Sequence, residues 1–531
     1  MTMKKILFAA SECVPFIKTG GLADVVGALP KAFDKDEYDV RVIIPNYACI
    51  PEKYQSQFEY VGHFYMSAGY MLQWVYVGVM KYEYEGIKYY FIDNKTHFGG
   101  SQPYGNICWD IENFCYFCKA VLSVLPMIDF KPDIIHCHDW QTGIIPVYIK
   151  TEFAGSEFYR DIKTVMTIHN LRFQGVWDIE YIRGLTGLPD YLFTPDKLEF
   201  NKGANMLKGG LVYADYITTV SKTYAGEIQW AYYGEGLDGL LRARNHQLYG
   251  ILNGIDYKIY DPSNDKKIYQ NYDIKTSAEG KAANKRALQE QLGLPVDEHK
   301  YMVGIISRLT DQKGFDLINC VINEILAEDD IQLVVIGTGE ERYENMFKHY
   351  AWVYQDRVSA NILYSDDLAH KLYAAADSLL IPSAFEPCGL TQLIAFRYGT
   401  LPIVRETGGL KDTVIPLNEY DNTGDGFSFT NYNAHDMLHV IEYSKEIYYE
   451  KPGLWQDMIK RGMRKDYSWN SSKEKYMKLY DMMLTPPPAP EPAPEPTSEP
   501  EPEPLRGAMT EPEPEPEQKP DNTDAVEGMQ I

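Results

Sequence analysis

The sequence predicts an α/β protein of two doubly wound domains that face one another across a cleft, followed by a disordered tail rich in proline and glutamate. Three observations lead there. The chain has 531 residues, more than one hydrophobic core usually supports, so two domains of roughly 200 to 250 residues are expected. Two separate series of short apolar segments alternate with amphipathic or loop stretches, the pattern of parallel strands joined by helical crossovers. The run Thr19-Gly20-Gly21-Leu22-Ala23-Asp24-Val25-Val26 also recurs, with six of eight residues identical, as Thr407-Gly408-Gly409-Leu410-Lys411-Asp412-Thr413-Val414. Each copy follows an apolar segment and opens a helical pattern, so each domain carries a glycine-rich corner suited to a ligand.

In the first domain, residues 1–260, the opening strand is predicted at 5–10, continuously apolar because both faces of a parallel sheet are covered. Further strands are predicted at 40–44, 134–136, 164–168, 216–220 and 248–252. Polar residues collect just past their carboxyl ends, where a doubly wound sheet places its site. His136-Cys137-His138-Asp139-Trp140 follows one strand, His169-Asn170 another and Asn253-Gly254-Ile255-Asp256 a third. After the first strand, Lys18 precedes Gly20 and Gly21. The glycines let a ligand approach the backbone, the helix start offers free amides, and the lysine adds a positive charge. Taken alone, Lys18 reads more simply as an exposed charge before an ordinary turn. The tyrosine-rich stretch 60–98 alternates apolar and polar residues and reads as a β-hairpin excursion from the domain.

The composition turns polar over 261–299, with a helix predicted at 278–292 ending at Gly293, and the domain boundary is placed there. The second domain, 261–455, has predicted strands at 301–306, 331–336, 358–363, 378–381 and 401–404. The first of these runs into Ser307-Arg308-Leu309-Thr310-Asp311-Gln312-Lys313-Gly314. Two cations five residues apart in a strand-to-helix loop can clamp linked phosphates; by spacing alone they serve equally as solvated surface charges. The fourth strand feeds Ser383-Ala384-Phe385-Glu386-Pro387-Cys388-Gly389-Leu390-Thr391. Pro387 suits a first helical turn, which would set Glu386 at the positive end of the helix beside the amides of Gly389 and Leu390. A charged amphipathic segment, 456–484, is expected to pack back on the first domain.

Charge and cysteine usage narrow the function. The formal net charge of −24 argues against the nucleic-acid backbone as a partner. Residues 485–531 hold ten Glu and two Asp against one Arg and one Lys, and 14 of the 31 prolines, so the acidity is partly that of a self-repelling arm without a core. Eight irregularly spaced cysteines point to a reducing compartment rather than a disulfide framework. Cys115 and Cys118 lie at helical spacing with Phe114, Val121 and Leu122 and are assigned to core packing. The His136-Cys137-His138 run has no further ligand at metal spacing nearby, and no metal is predicted. The N-terminal apolar run ends at Glu12, too short for a signal peptide, and no run approaches about 18 residues, so neither export nor a membrane span is expected. The cytoplasm is the expected compartment.

With these pieces placed, the chain closely resembles the bacterial glycogen synthases and plastid starch synthases over about residues 4–480. The motifs stand in family order: KTGGLADVVGALP from Lys18, HDWQTG from His138, TIHN from Thr167, LNGID from Leu252, SRLTDQKG from Ser307, FEPCGLTQ from Phe385 and TGGLKD from Thr407. The resemblance implies the GT-B fold of two facing Rossmann-like domains. It also implies retaining transfer of glucose from ADP-glucose to the non-reducing end of an α-1,4-glucan, without a metal or other cofactor. By the same resemblance Arg308 and Lys313 bind the donor pyrophosphate, and Lys18, Gly20 and Gly21 approach the donor phosphates. Glu386, Cys388 and the following Gly389, Leu390 and Thr391 surround the donor glucose, with Gly408 and Gly409 lying against the donor. Asp139 and His169 act from the opposite domain, and Asn253 is a further polar site residue. A transferase using UDP-glucose or a small sugar acceptor, or a catalytically silent glucan-binding protein, are the competing readings.

Overall fold

The computed structural model describes residues 3–328 and 330–485; the predicted Glu-Pro arm lies almost wholly outside them. The first lobe is built on a nine-stranded sheet whose strands are β1 (Lys4–Ala9), β2 (Tyr38–Pro45), β3 (Glu59–Met66), β4 (Val75–Tyr84), β5 (Ile87–Asp93), β6 (Ile134–His138) and β7 (Lys163–Ile168), with two more further on. Three short strands, β8 (Val176–Trp177), β9 (Glu199–Phe200) and β10 (Gly203–Asn205), form a separate small sheet. Then β11 (Tyr216–Thr219) and β12 (Leu248–Gly250) complete the large one, in the order β12-β11-β7-β6-β1-β2-β5-β4-β3. Seven strands are parallel. The apolar run Ile6–Ala9 is fully buried between helical layers, as a two-sided strand requires.

One expectation is corrected here. The segment 60–98 is not an excursion: β5 pairs in parallel with β2 along 41–45, and β4 and β3 then extend the main sheet in antiparallel fashion. The alternating tyrosines are those of a half-covered edge rather than of a detached hairpin; Tyr60 and Tyr65 face solvent while Tyr89 and Tyr90 are buried.

The second lobe carries a six-stranded parallel sheet of β13 (Tyr301–Ile306), β14 (Ile331–Ile336), β15 (Val358–Asn361), β16 (Ser378–Ile381), β17 (Leu401–Arg405) and β18 (Phe427–Phe429), ordered β15-β14-β13-β16-β17-β18. The edge strand β18, three residues long, was not among the predicted strands; so short a run carries no periodicity of its own. The helix Ser277–Leu292 ends on Gly293 at φ 70°, the left-handed cap its sequence calls for.

The chain moves from the first core to the second between Ile251 and Ile255, and returns between Met463 and Trp469. The two crossings lie side by side, with the Ile255 N–H donating to the Tyr467 carbonyl at 2.8 Å and the Tyr467 N–H to the Tyr257 hydroxyl at 2.8 Å. The helix Pro452–Arg464 packs in the second core through Trp455, Met458 and Ile459, whereas Trp469–Leu484 packs in the first through Trp469, Tyr476 and Tyr480. Among the parallel strands the order reverses between β1 and β6 in the first sheet and between β13 and β16 in the second. Those reversals open the two crevices that meet in the cleft.

Candidate active site

A cavity of about 980 Å³ lies between the lobes, walled by loops that leave the carboxyl ends of β1, β6, β7, β12, β13 and β16. On the second lobe, Arg308 and Lys313 follow β13. Gly314 sits at φ 75°, and a Cβ there would come within 2.1 Å of the Pro382 carbonyl oxygen, so only glycine lets this loop lie against the one after β16. The approach puts Lys313 Nζ 2.6 Å from Glu386 Oε2, which also accepts the Ser383 hydroxyl at 2.9 Å. Arg308 is exposed to the cavity and makes no ion pair among the described residues. The two predicted clamp cations therefore differ: one is unpaired, the other shared with a carboxylate.

Glu386 does not stand at a helix start, as the sequence predicted. The helix is Thr391–Arg397, and Gly389 at φ 67° breaks the path before it. Pro387 is instead a loop residue whose carbonyl accepts the Ser221 hydroxyl at 2.6 Å and the Gly409 N–H at 3.2 Å. Side-chain partners, not helix amides, hold the Glu386 carboxylate. Cys388 is buried, and burial pushes its thiol up to about 12 despite contact with Asn253 from the other lobe. It is a neutral polar group. Gly389, Leu390 and Thr391 complete this wall, and Leu390 reaches so far across the cleft that a Cβ on Gly21 would lie 3.7 Å from its Cδ1.

The first lobe supplies Lys18, Gly20, Gly21, Asp139, His169 and Asn253 to the same cavity. Lys18 pairs with Asp24 at 2.8 Å. Asp139 holds φ 55° and ψ −174°, a region almost reserved for glycine, which stores strain of order 1–3 kcal/mol. Its carboxylate accepts the His169 N–H at 2.7 Å, and burial raises its pKa to about 7. His169 Nε2 lies 2.9 Å from His138 Nδ1, so one of these nitrogens carries the proton. His138 in turn stacks on His136 with ring centroids 4.3 Å apart. Burial lowers the pKa of both His136 and His169 to about 3, leaving a neutral imidazole at the cleft. The His136-Cys137-His138 run is thus a strand end with alternating contacts. Among the described residues no group of three His, Cys, Asp or Glu is arranged to hold a metal ion.

Two predicted residues stand apart. Gly408 and Gly409 lie outside the cavity wall, behind the Glu386–Cys388 loop: a Cβ on Gly408 would meet the Glu386 carbonyl oxygen at 2.0 Å and one on Gly409 the Cys388 oxygen at 1.9 Å. They admit the loop rather than the ligand. Sequence reasoning also missed Glu12, which lines the cavity and accepts the Thr19 N–H, the Thr19 hydroxyl at 2.7 Å and the Tyr104 hydroxyl at 3.0 Å. A carboxylate two residues past an apolar strand end was the available signal.

Residues 5–243 match the family of the starch synthase catalytic domain, and residues 288–462 match the group 1 glycosyl transferases. The glycogen synthase of Lachnospira eligens is 59% identical over 481 residues, 91% of this chain and 100% of that protein. The chain belongs to the glycogen and starch synthase family. The glycogen synthase of Geobacillus stearothermophilus is 49% identical over 90% of this chain and 98% of that protein. Among solved structures, the catalytic domain of starch synthase IV from Arabidopsis thaliana bound to ADP and acarbose superposes with a TM-score of 0.82 at 32% identity, covering 91% of this chain and 99% of that one. The sucrose-phosphate synthase of Thermosynechococcus elongatus, with a TM-score of 0.58 at 16% identity over 90% of this chain and 99% of that one, shares the GT-B fold. The chain is therefore a glycosyltransferase with glycogen or starch synthase activity, which uses a nucleotide-sugar donor and a glucan. Among the described residues no helix is long and apolar enough to cross a membrane.

Proposed function

We propose that the enzyme transfers glucose from ADP-glucose to the 4-hydroxyl at the non-reducing end of an α-1,4-glucan, with retention of configuration. The observation that carries this reading is the meeting, in one cavity, of Arg308, Lys313 and Glu386 from one lobe with Asp139 and His169 from the other. Breaking the glucose–phosphate bond builds negative charge on the leaving nucleotide and positive charge on the sugar ring. Fixed cations near the first and oxygen atoms near the second stabilise the transition state more than the ground state. Arg308, unpaired, would take the pyrophosphate. Lys313 would bridge pyrophosphate and Glu386, and the Glu386 carboxylate would face the donor sugar. The charge a divalent metal provides in other transferases would come from these two side chains. Neutral His169 would exchange a hydrogen bond with a sugar hydroxyl without adding charge beside the developing cation.

Retention is read as a front-face displacement in which the leaving phosphate accepts the proton of the incoming hydroxyl. The ADP bound in the Arabidopsis relative supports an adenine nucleotide as donor. The eight cysteines are free thiols, in keeping with work in a reducing compartment such as the cytoplasm. The test is a pair of assays with glycogen as acceptor: ADP-glucose is expected to support elongation far better than UDP-glucose. Preference for UDP-glucose, or transfer to a small sugar but not to glycogen, would overturn the proposal. So would a glucosyl adduct trapped on Glu386, for the displacement step.

A further inference from the structure

The short helix Lys222–Glu227 belongs to the first lobe, yet most of its polar contacts are with the second. Just before it, the Ser221 hydroxyl donates to the Pro387 carbonyl at 2.6 Å. Thr223 gives Asp412 both its N–H, at 2.9 Å, and its hydroxyl, at 2.6 Å. Glu227 accepts the Thr407 hydroxyl on Oε1 at 3.0 Å and the Gly408 N–H on both oxygens, at 3.0 Å on Oε1 and 3.1 Å on Oε2. The same helix also holds the first lobe's own site loop: the Tyr224 hydroxyl accepts the Leu171 N–H at 3.1 Å, two residues beyond His169. One element therefore touches both halves of the site.

Thr407 and Gly408 form the floor beneath the donor-sugar loop. Gly409 donates its N–H to the Glu386 carbonyl at 3.1 Å, and Gly408, at φ 46°, lies so close beneath that carbonyl that no side chain fits. A turn in that conformation is held by its surroundings. Its Thr407 hydroxyl and Gly408 N–H are satisfied by a carboxylate from the other lobe, and removing that acceptor leaves two donors at a half-buried interface without it. Glu227 does not line the cavity.

We infer that Glu227 is a positioning residue for transfer: from the first lobe it holds the Thr407-Gly408 turn, and through it the Glu386–Cys388 loop, so that the donor-sugar corner is complete only while the lobes are together. The inference rests on the proposed place of Glu386 at the donor sugar. Lobe closure then does more than exclude water; it sets the loop on which the reacting sugar rests.

The test compares Glu227→Ala, Glu227→Asp and Glu227→Gln by kcat, by KM for ADP-glucose and by thermal melting, with Glu386→Ala as reference. Ala, and Asp with its shorter reach, are expected to lower kcat by about 10-fold or more, with KM within about 3-fold, while Gln, which keeps one acceptor oxygen in place, stays within about 5-fold of the parent. Melting of the three is expected to agree within a few degrees. Glu227→Ala at parental kcat beside an inactive Glu386→Ala would overturn the inference alone. An active Glu386→Ala would instead overturn the reading beneath it. Equal losses in all three variants would also overturn it, because a generally weakened interface does not distinguish Gln from Asp. Should Glu227→Ala lose cooperative melting, the Gln-to-Asp ratio in kcat decides, with a ratio near one counting against the inference.

Discussion

The two Thr-Gly-Gly-Leu turns share six of eight residues and each begins a helix, one after β1 and the other after β17, yet their glycines do opposite things. Gly20 is extended, at φ −154°, and a Cβ placed on it meets nothing within 4 Å; it is open to the cleft. Gly408 takes φ 46° and is closed over by the Glu386 carbonyl on one side and the Glu227 carboxylate on the other. The following aspartates diverge as well. Asp24 pairs with Lys18 of its own turn, whereas Asp412 pairs with Thr223 of the opposite lobe. A local sequence sets where a helix starts. What passes over it determines whether its glycines serve a ligand or a neighbouring loop.

The largest effect expected to separate the turns comes from the same substitution in each. Gly408→Ala combines a left-handed backbone with a contact of 2.0 Å and should lower stability by several kcal/mol and abolish most turnover. Gly20→Ala should leave stability within about 0.5 kcal/mol and act through a raised KM for the nucleotide sugar. Thermal melting and steady-state kinetics on the pair check this; equal melting losses would erase the distinction between an open and a closed turn.

Next comes the second lobe's cation. Lys313→Ala is expected to lower kcat by about 10²- to 10³-fold while the circular dichroism spectrum of the fold persists, given the size of preorganised charge effects. Near-normal turnover would remove Lys313 from the transition state.

A third, smaller effect is on the first lobe and depends on pH. Asp139 is raised by burial from 3.8 to about 7, so its native form keeps a proton that the unfolded chain releases between those values. Its contribution to stability is therefore greatest below about 4 and is lost as pH rises towards 7. Asp139→Asn should melt higher than the parent at pH 8, and the gain should shrink as the pH is lowered towards 4, with activity reduced throughout. A gain independent of pH would mean that Asp139 ionises without penalty.

The smallest effect is at Lys18. Its pairing with Asp24 is partly exposed, so Lys18→Met should change stability by less than about 1 kcal/mol. If Lys18 meets the donor, KM for ADP-glucose rises all the same.

Much of the site was legible because it follows strand ends. The predicted starts of β13, β14 and β16 agree with the observed ones, and Arg308, Lys313, Asp139, His169 and Asn253 all fall in the loops that a doubly wound sheet turns to its crevice. The helix at 277–292 was legible for an equally local reason, a left-handed glycine cap at Gly293. Where the reading failed, the controlling partner came from far along the chain. Pro387 looked like a helix start, but its carbonyl is taken by Ser221. The tyrosines of 60–98 looked like a detached hairpin until β5 paired with β2.

By itself, then, the sequence determined the central parallel strands of both sheets, the loops that carry charge at their ends, and the acidic tail. Periodicity, glycine and proline act within a few residues and leave their mark there. Only the tertiary structure decided that Lys313 shares its charge with Glu386, that Asp139 is strained, buried and bound to the His169 amide, and that Gly408 is sealed by Glu227. Each of those depends on a group brought from at least 30 residues away. The first two contacts exist once each lobe has packed on itself, and the third only when the two lobes meet.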